Sequence, residues 1–146
     1  RELIGAFWPG ALTVILHARP SLVWDLGETH GTVAVRIPNH TVTREFLNET
    51  GPLAVSSANL TGQPAARTAA DAQAMLGDAV SVYLEGGQSG TSYSAVGERP
   101  GDYSSTIIDA TGLRSGGRLR IVRRGVVTRE QLTDVVGASA FDGDGQ

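Results

Sequence analysis

Two arginine-bearing strands and two clusters of small hydroxyl and amide side chains are the parts of this sequence best equipped for chemistry. In RLRIVRRG the side chains of a strand alternate between faces, so Leu119, Ile121 and Arg123 share one face and Arg118, Arg120 and Arg124 the other. With Leu119 and Ile121 facing a core, Arg123 is carried inward or into a cleft, where a guanidinium needs an anionic partner. That partner is either a phosphate or carboxylate of a ligand or an internal carboxylate such as Asp109. In TVAVRIP, Thr32, Ala34 and Arg36 share a face opposite Val33, Val35 and Ile37, which suits an anionic small molecule or plain surface decoration. In GPLAVSSANLTG, Ser57 and Asn59 offer uncharged donors and acceptors fit for a nucleotide, a sugar or an amino acid. The same residues could instead bond their own backbone in a turn. In STIIDAT, Ser105 and Thr106 head an apolar strand directly after a long loop, either as a plain strand edge or as the floor of a covered site.

The elements that must position these groups can be read from periodicity and punctuation. RELIGAFW has helical spacing without a capping residue, which reads as the last turns of a longer helix. The strands expected are Leu12–Ala18, Thr32–Ile37, Pro52–Ser57, Val80–Leu84, Ser105–Ala110 and Leu119–Arg123. Thr41–Thr50 reads as a short helix, Thr68 caps a second that ends at Gly77, and Thr128 caps a third that ends at Gly137. Residues 86–104 are rich in Gly, Ser and Pro and form a long loop. Strands and helices mixed without strict alternation predict an α/β or α+β domain on one twisted mixed sheet. The domain is expected over residues 1–137, with 138–146 a flexible, acidic, Gly-rich tail.

Composition narrows the classes. The 146 residues are 40% hydrophobic and 18% charged, as in an ordinary soluble domain. A net charge of −3 argues against a generic nucleic-acid coat. Without cysteine there are no disulfides or thiolate metal sites, and a cytoplasmic location is compatible. The three histidines lack ligand spacing, and neither a Walker A loop nor GxGxxG nor HExxH is present.

FWPGALTVIL, TVAVRIPNH, GPLAVSSANLTGQP, STIIDATG and LRIVRRG, in this order, resemble the YrdC/Sua5 family of threonylcarbamoyl-AMP synthases. The resemblance runs from about Arg1 to Gly137. It implies a YrdC-like twisted sheet with a concave ligand face. It also implies synthesis of threonylcarbamoyl-AMP and pyrophosphate from L-threonine, bicarbonate and ATP, with Mg²⁺ brought in by ATP. A separate transferase complex would then carry the product's threonylcarbamoyl group to adenosine 37 of tRNA. Matched motif by motif, Thr32, Asn59 and Arg123 fall on the family's ATP-binding positions. Arg36, Ser57 and Ser105 fall on its L-threonine-binding positions. No covalent enzyme intermediate and no protein-held metal are implied.

The family's N-terminal third, with its P-T-D-T-x-Y-G strand and phosphate-gripping K-x-R motif, has no counterpart in this sequence. The chain is therefore expected to be an N-terminally truncated domain, inactive or nearly so by itself. Ala11, Arg67 and Arg124 depart from the family pattern, and the 86–104 loop is longer than usual. Two other functions fit parts of the sequence. One is a non-catalytic double-stranded RNA or tRNA binder, favoured by five arginines between 114 and 124 and opposed by the acidic balance. The other is the related module of carbamoyl-transfer maturation factors.

Overall fold

A computed structural model describes residues 1–93 and 103–143. The chain divides into two compact units, Arg1–Asn39 with Tyr93–Gln146, and His40–Ser92.

The first unit is built on a four-stranded mixed sheet. Its strands are β1 (Leu12–His17), β2 (Thr32–Val35), β3 (Thr106–Asp109) and β4 (Arg120–Arg123), in spatial order β2-β1-β3-β4. β1 runs antiparallel to β2 and parallel to β3, and β3 runs antiparallel to β4. Two helices, α1 (Glu2–Phe7) and α4 (Arg129–Val136), accompany the sheet. The register Leu12↔Thr106 and Val14↔Ile108 places alternate residues of both strands on one face. Leu12, Val14 and Ile108 from that face form one buried cluster with Leu3 of α1 and Leu132 of α4. Leu12 and Leu132 are fully buried. The apolar stripe of each helix thus covers one side of the sheet, and the alternates of each strand, Thr13 and Asp109 among them, are left on the other.

α4 begins where its sequence says it should. The Thr128 hydroxyl accepts from the Gln131 amide, and the Gln131 side chain accepts from the Thr128 amide, a reciprocal capping box. Beyond Gly137 the expected tail takes a different form. Ala138–Ala140 is a short 3₁₀ turn and Phe141 is 2% exposed in the core, bridged to Leu119. An aromatic ring with that much area to bury outweighs the flexibility of its acidic, Gly-rich neighbours, so the packed domain extends past residue 137. Residues 144–146 and 94–102 lie outside the described ones, and with them the middle of the 86–104 loop and the end of the tail.

The second unit carries α2 (Thr41–Thr50) and α3 (Ala69–Leu76), with the bounds or cap expected for each. Thr68 accepts from the Asp71 amide as the N-cap of α3. The expected strands Pro52–Ser57 and Val80–Leu84 are not strands here: neither is paired in a ladder among the described residues. Their apolar residues, including Val55 and Val82, are exposed. A strand is defined by its partner as well as its sequence, and an apolar run without a neighbouring ladder has no sheet to join.

Candidate functional site

The open face of the sheet carries most of the residues singled out from the sequence. β2 pairs with β1 in the register Ile15↔Ala34 and His17↔Thr32, so Thr32 and Ala34 lie on the side of Thr13 and Ile15, away from the core. Arg36 follows one residue past β2, in step with them. Its Nε donates to the Gly10 carbonyl at 2.7 Å and its Nη2 to the Tyr93 hydroxyl at 2.7 Å. The guanidinium also lies 5.8 Å from the Tyr93 ring centre. Two fixed nitrogens set the plane of the fork, and Nη1 has no partner among the described residues.

Arg123 reaches the same face by a route that strict alternation does not predict. β3 and β4 pair Asp109↔Arg120 and Ile108↔Ile121, but then Ile107↔Arg123, a one-residue bulge that leaves Val122 without a counterpart. Ile107 and Ile108 point to opposite faces, so their partners Arg123 and Ile121 do too. The expectation that Leu119, Ile121 and Arg123 share a face is therefore corrected. Leu119 and Ile121 face the core, whereas the bulge turns Arg123 onto the open face with Arg120, Thr32 and Arg36. The internal-carboxylate alternative falls to a different arginine: Arg120 pairs with Asp109 at 3.1 Å. Asp109 also accepts from the Thr111 hydroxyl at 2.6 Å and its amide at 2.9 Å. Those two bonds, ahead of Arg120, hold its carboxyl below the ordinary aspartate range.

Arg123 grips Ser105 instead. Its Nε and Nη2 donate to the Ser105 carbonyl at 3.1 and 2.7 Å, and Nη2 also donates to the Ser105 hydroxyl at 3.0 Å. Ser105 is 5% exposed, and its hydroxyl lies 2.8 Å from that of Thr13. Gly125 allows this corner to close. A Cβ there would stand 2.6 Å from the Ser105 carbonyl carbon and 2.7 Å from its oxygen. The Gly125 amide donates to the Thr106 hydroxyl, which donates to the Val127 carbonyl at 2.6 Å. Thr106 is thus a buried stitch between β3 and the chain leaving β4, and Ser105 alone of the hydroxyl pair turns to the open face.

Thr32 lies at the far end of β2, its hydroxyl donating to the Thr29 carbonyl at 2.7 Å. Ser57 and Asn59 belong to the other unit. The Asn59 side-chain amide donates to the Leu60 carbonyl at 2.9 Å, and the Asn59 backbone amide donates to the Ser57 carbonyl. The self-bonded turn is therefore real for Asn59. The Ser57 hydroxyl is exposed and makes no hydrogen bond among the described residues. Arg67 donates twice to the Ser89 carbonyl, at 2.9 and 2.7 Å, and so fastens its own loop.

Two contributors escaped the sequence reading. Thr13 was readable as the one polar residue between Leu12 and Val14 in an apolar strand, hence on the opposite face. Tyr93 sits inside a loop and nothing in its spacing links it to Arg36. Among the described residues no three His, Asp or Glu side chains gather as a cation cage. No helix among them is long and apolar enough to cross a membrane.

A mixed sheet with helices on one face and a fan of fixed guanidinium and hydroxyl groups on the other defines a class: an α/β domain whose open face presents cationic and hydroxyl groups. Comparison with known proteins supplies the family. The Sua5/YciO/YrdC family model, described as telomere recombination, matches residues 1–125, and the chain belongs to that family. It is 46% identical over 140 residues to a Mycobacterium tuberculosis protein, covering 96% of this chain and 58% of that one. It is 30% identical over 146 residues to the threonylcarbamoyl-AMP synthase of Bacillus subtilis, covering 97% of this chain and 38% of the relative. Among solved structures, P. abyssi Sua5 complexed with L-threonine superposes with a TM-score of 0.76 at 25% identity, over 96% of this chain and 37% of the other. The chain thus spans little more than half the length of its curated mycobacterial relatives, and less of the others.

Proposed function

We propose that these residues form the threonine- and nucleotide-binding part of a threonylcarbamoyl-AMP synthase. The reaction joins L-threonine, bicarbonate and ATP into threonylcarbamoyl-AMP, pyrophosphate and water. The threonine amine attacks the bicarbonate carbon, a C–N bond forms and water leaves. An oxygen of the resulting carbamate then attacks the ATP α-phosphorus, and the bond to pyrophosphate breaks. No side chain need become covalently attached, so the protein's part is to position and to neutralise charge.

The observation that carries this reading is the fork of Arg123, fixed by Nε and Nη2 on Ser105 with Nη1 left to the open face. A guanidinium immobilised in this way meets a phosphate oxygen with little further loss of side-chain freedom. Thr32 and Asn59 take the nucleotide with it. Arg36, its plane set by Gly10 and Tyr93, takes the threonine carboxylate, with Ser105 and Ser57 on the threonine side. Mg²⁺ would be held by the triphosphate of ATP. The product serves a separate tRNA threonylcarbamoyl-transferase complex.

The test uses a polypeptide that joins these residues to the segment preceding them in the longer relatives. With ATP, Mg²⁺, bicarbonate and L-threonine it should release pyrophosphate and form threonylcarbamoyl-AMP, detected by mass. Arg123→Ala should slow this by about 10- to 100-fold, the loss of a charged hydrogen bond. The 146 residues alone should form little or no product. Absence of pyrophosphate from the joined polypeptide would overturn the assignment.

A further inference from the structure

Arg36 and Tyr93 meet through a hydrogen bond whose direction their chemistry fixes. A guanidinium has no acceptor, so Arg36 Nη2 donates and the Tyr93 hydroxyl oxygen accepts, at 2.7 Å. The phenol keeps its own proton to give. Among the described residues that proton has no acceptor, because Arg36 is the only hydrogen-bond partner of Tyr93. Arg36 has donors to spare as well. Of its five N–H groups, one of Nε goes to the Gly10 carbonyl and one of Nη2 to Tyr93, which leaves three without a partner among the described residues.

Both groups are held in place. The Arg36 fork is fixed at two nitrogens, and the half-buried Tyr93 ring packs against the core cluster of the sheet unit. The ring centre also lies 5.8 Å from the guanidinium carbon. Accepting from a cation polarises the phenol and strengthens its O–H as a donor. A fixed cation and a fixed hydroxyl, side by side with unspent protons, suit an anion that offers two oxygens, as a carboxylate does.

We infer that Tyr93 is a ligand-binding residue, its hydroxyl donating to one oxygen of a carboxylate whose other oxygen sits on the unspent N–H groups of Arg36. Under the function proposed above, on which this inference rests, the carboxylate is that of L-threonine. Tyr93 then joins Arg36, Ser57 and Ser105 on the threonine side. It accepts from the guanidinium, which sets the plane of the fork, and donates to the anion that the guanidinium neutralises.

Calorimetric titration with L-threonine, using the polypeptide joined to its preceding segment, tests this. Tyr93→Phe keeps the ring and removes the hydroxyl. It should weaken L-threonine binding about 10- to 100-fold, the loss of a hydrogen bond to a charged acceptor, and leave ATP binding within about twofold. A 3-fluorotyrosine placed at position 93 separates donation to the ligand from mere support of Arg36, at a pH where the phenol stays protonated. Fluorine makes the hydroxyl a stronger donor, yet weakens both its oxygen and its ring as partners for the guanidinium. L-Threonine should therefore bind more tightly than to the parent. Weaker or unchanged binding with fluorotyrosine, or a Tyr93→Phe protein that binds L-threonine like the parent, overturns the inference. Acetate, a carboxylate without the rest of threonine, keeps that result apart from failure of the proposed function. If the parent binds acetate, and Tyr93→Phe binds it less well, but the parent binds no L-threonine, the carboxylate site stands and the proposed function falls. If the parent binds neither, both fall.

Discussion

The two units of this chain bury their apolar residues very differently. In the sheet unit, Leu3, Leu12, Val14, Ile108, Leu119, Leu132 and Phe141 close into one cluster with hardly any exposed area. In the His40–Ser92 unit, Ala72 is the only buried hydrophobic residue among those described, while Val42, Phe46, Leu53, Val55, Leu60, Val82 and Leu84 are exposed. The first unit is held by area removed from water. The second is held by local polar devices: the caps of α2 and α3, the Arg67–Ser89 clasp, and the bond from the Tyr83 hydroxyl to the Gly77 carbonyl. Individually such devices contribute about 1 kcal/mol, so the sheet unit should set global stability and the other should open locally first.

Substitutions that would break this contrast can be ranked by expected size. Leu132→Ala, at a fully buried position, should cost about 2–5 kcal/mol in denaturant unfolding; a loss under about 1 kcal/mol would mean the cluster is not the anchor. Gly125→Ala drives a Cβ into the Ser105 backbone, which cannot yield as a flexible side chain can. It should cost about 1–3 kcal/mol in denaturant unfolding and displace Ser105.

His40→Ala should have a smaller and more local effect. The carbonyl of Gly86 can only accept, so His40 Nε2 carries the proton and Nδ1 accepts from the Thr43 amide as the α2 cap. Removing the ring should cost about 1 kcal/mol and raise hydrogen exchange in α2 while leaving β1 and β3 protected. Equal acceleration in the sheet strands would show that the two units do not open separately.

The smallest effect belongs to Asp109. Its folded-state pKa is lowered, so it contributes stability above its ordinary value of 3.8. That contribution is lost as the pH falls from 3.8 through the lower folded-state value. Asp109→Asn should flatten the acid limb of the stability curve there by less than about 1 kcal/mol, because its Arg120 partner is largely exposed.

What the sequence made legible follows the same division. In the sheet unit, alternation in Thr32–Ile37 put Thr32 and Ala34 on one face, as the pairing with β1 bears out, and Thr128 marked its helix start. Alternation failed at Arg123, because a bulge at Val122 depends on the pairing of two strands and leaves no mark in either one. The Arg36–Tyr93 pair was invisible for a related reason: 57 residues separate the partners, and only the fold joins them. Phe141 was hidden by the acidic, glycine-rich company it keeps. In the other unit the capped helices were readable from local rules, whereas Pro52–Ser57 and Val80–Leu84 were misread because a strand requires a neighbour.

The central claim is that the open face, carrying Thr13, Thr32, Arg36, Ser105 and Arg123, is where L-threonine and nucleotide bind. Backbone amide shifts recorded during titration of the joined polypeptide with L-threonine and ATP test it most directly. The account predicts that Thr13, Arg36, Ser105 and Arg123 shift saturably while the helix-side residues Leu3 and Leu132 stay in place. Shifts centred on α1 and α4, or none on the sheet's open face at saturating ligand, would contradict it.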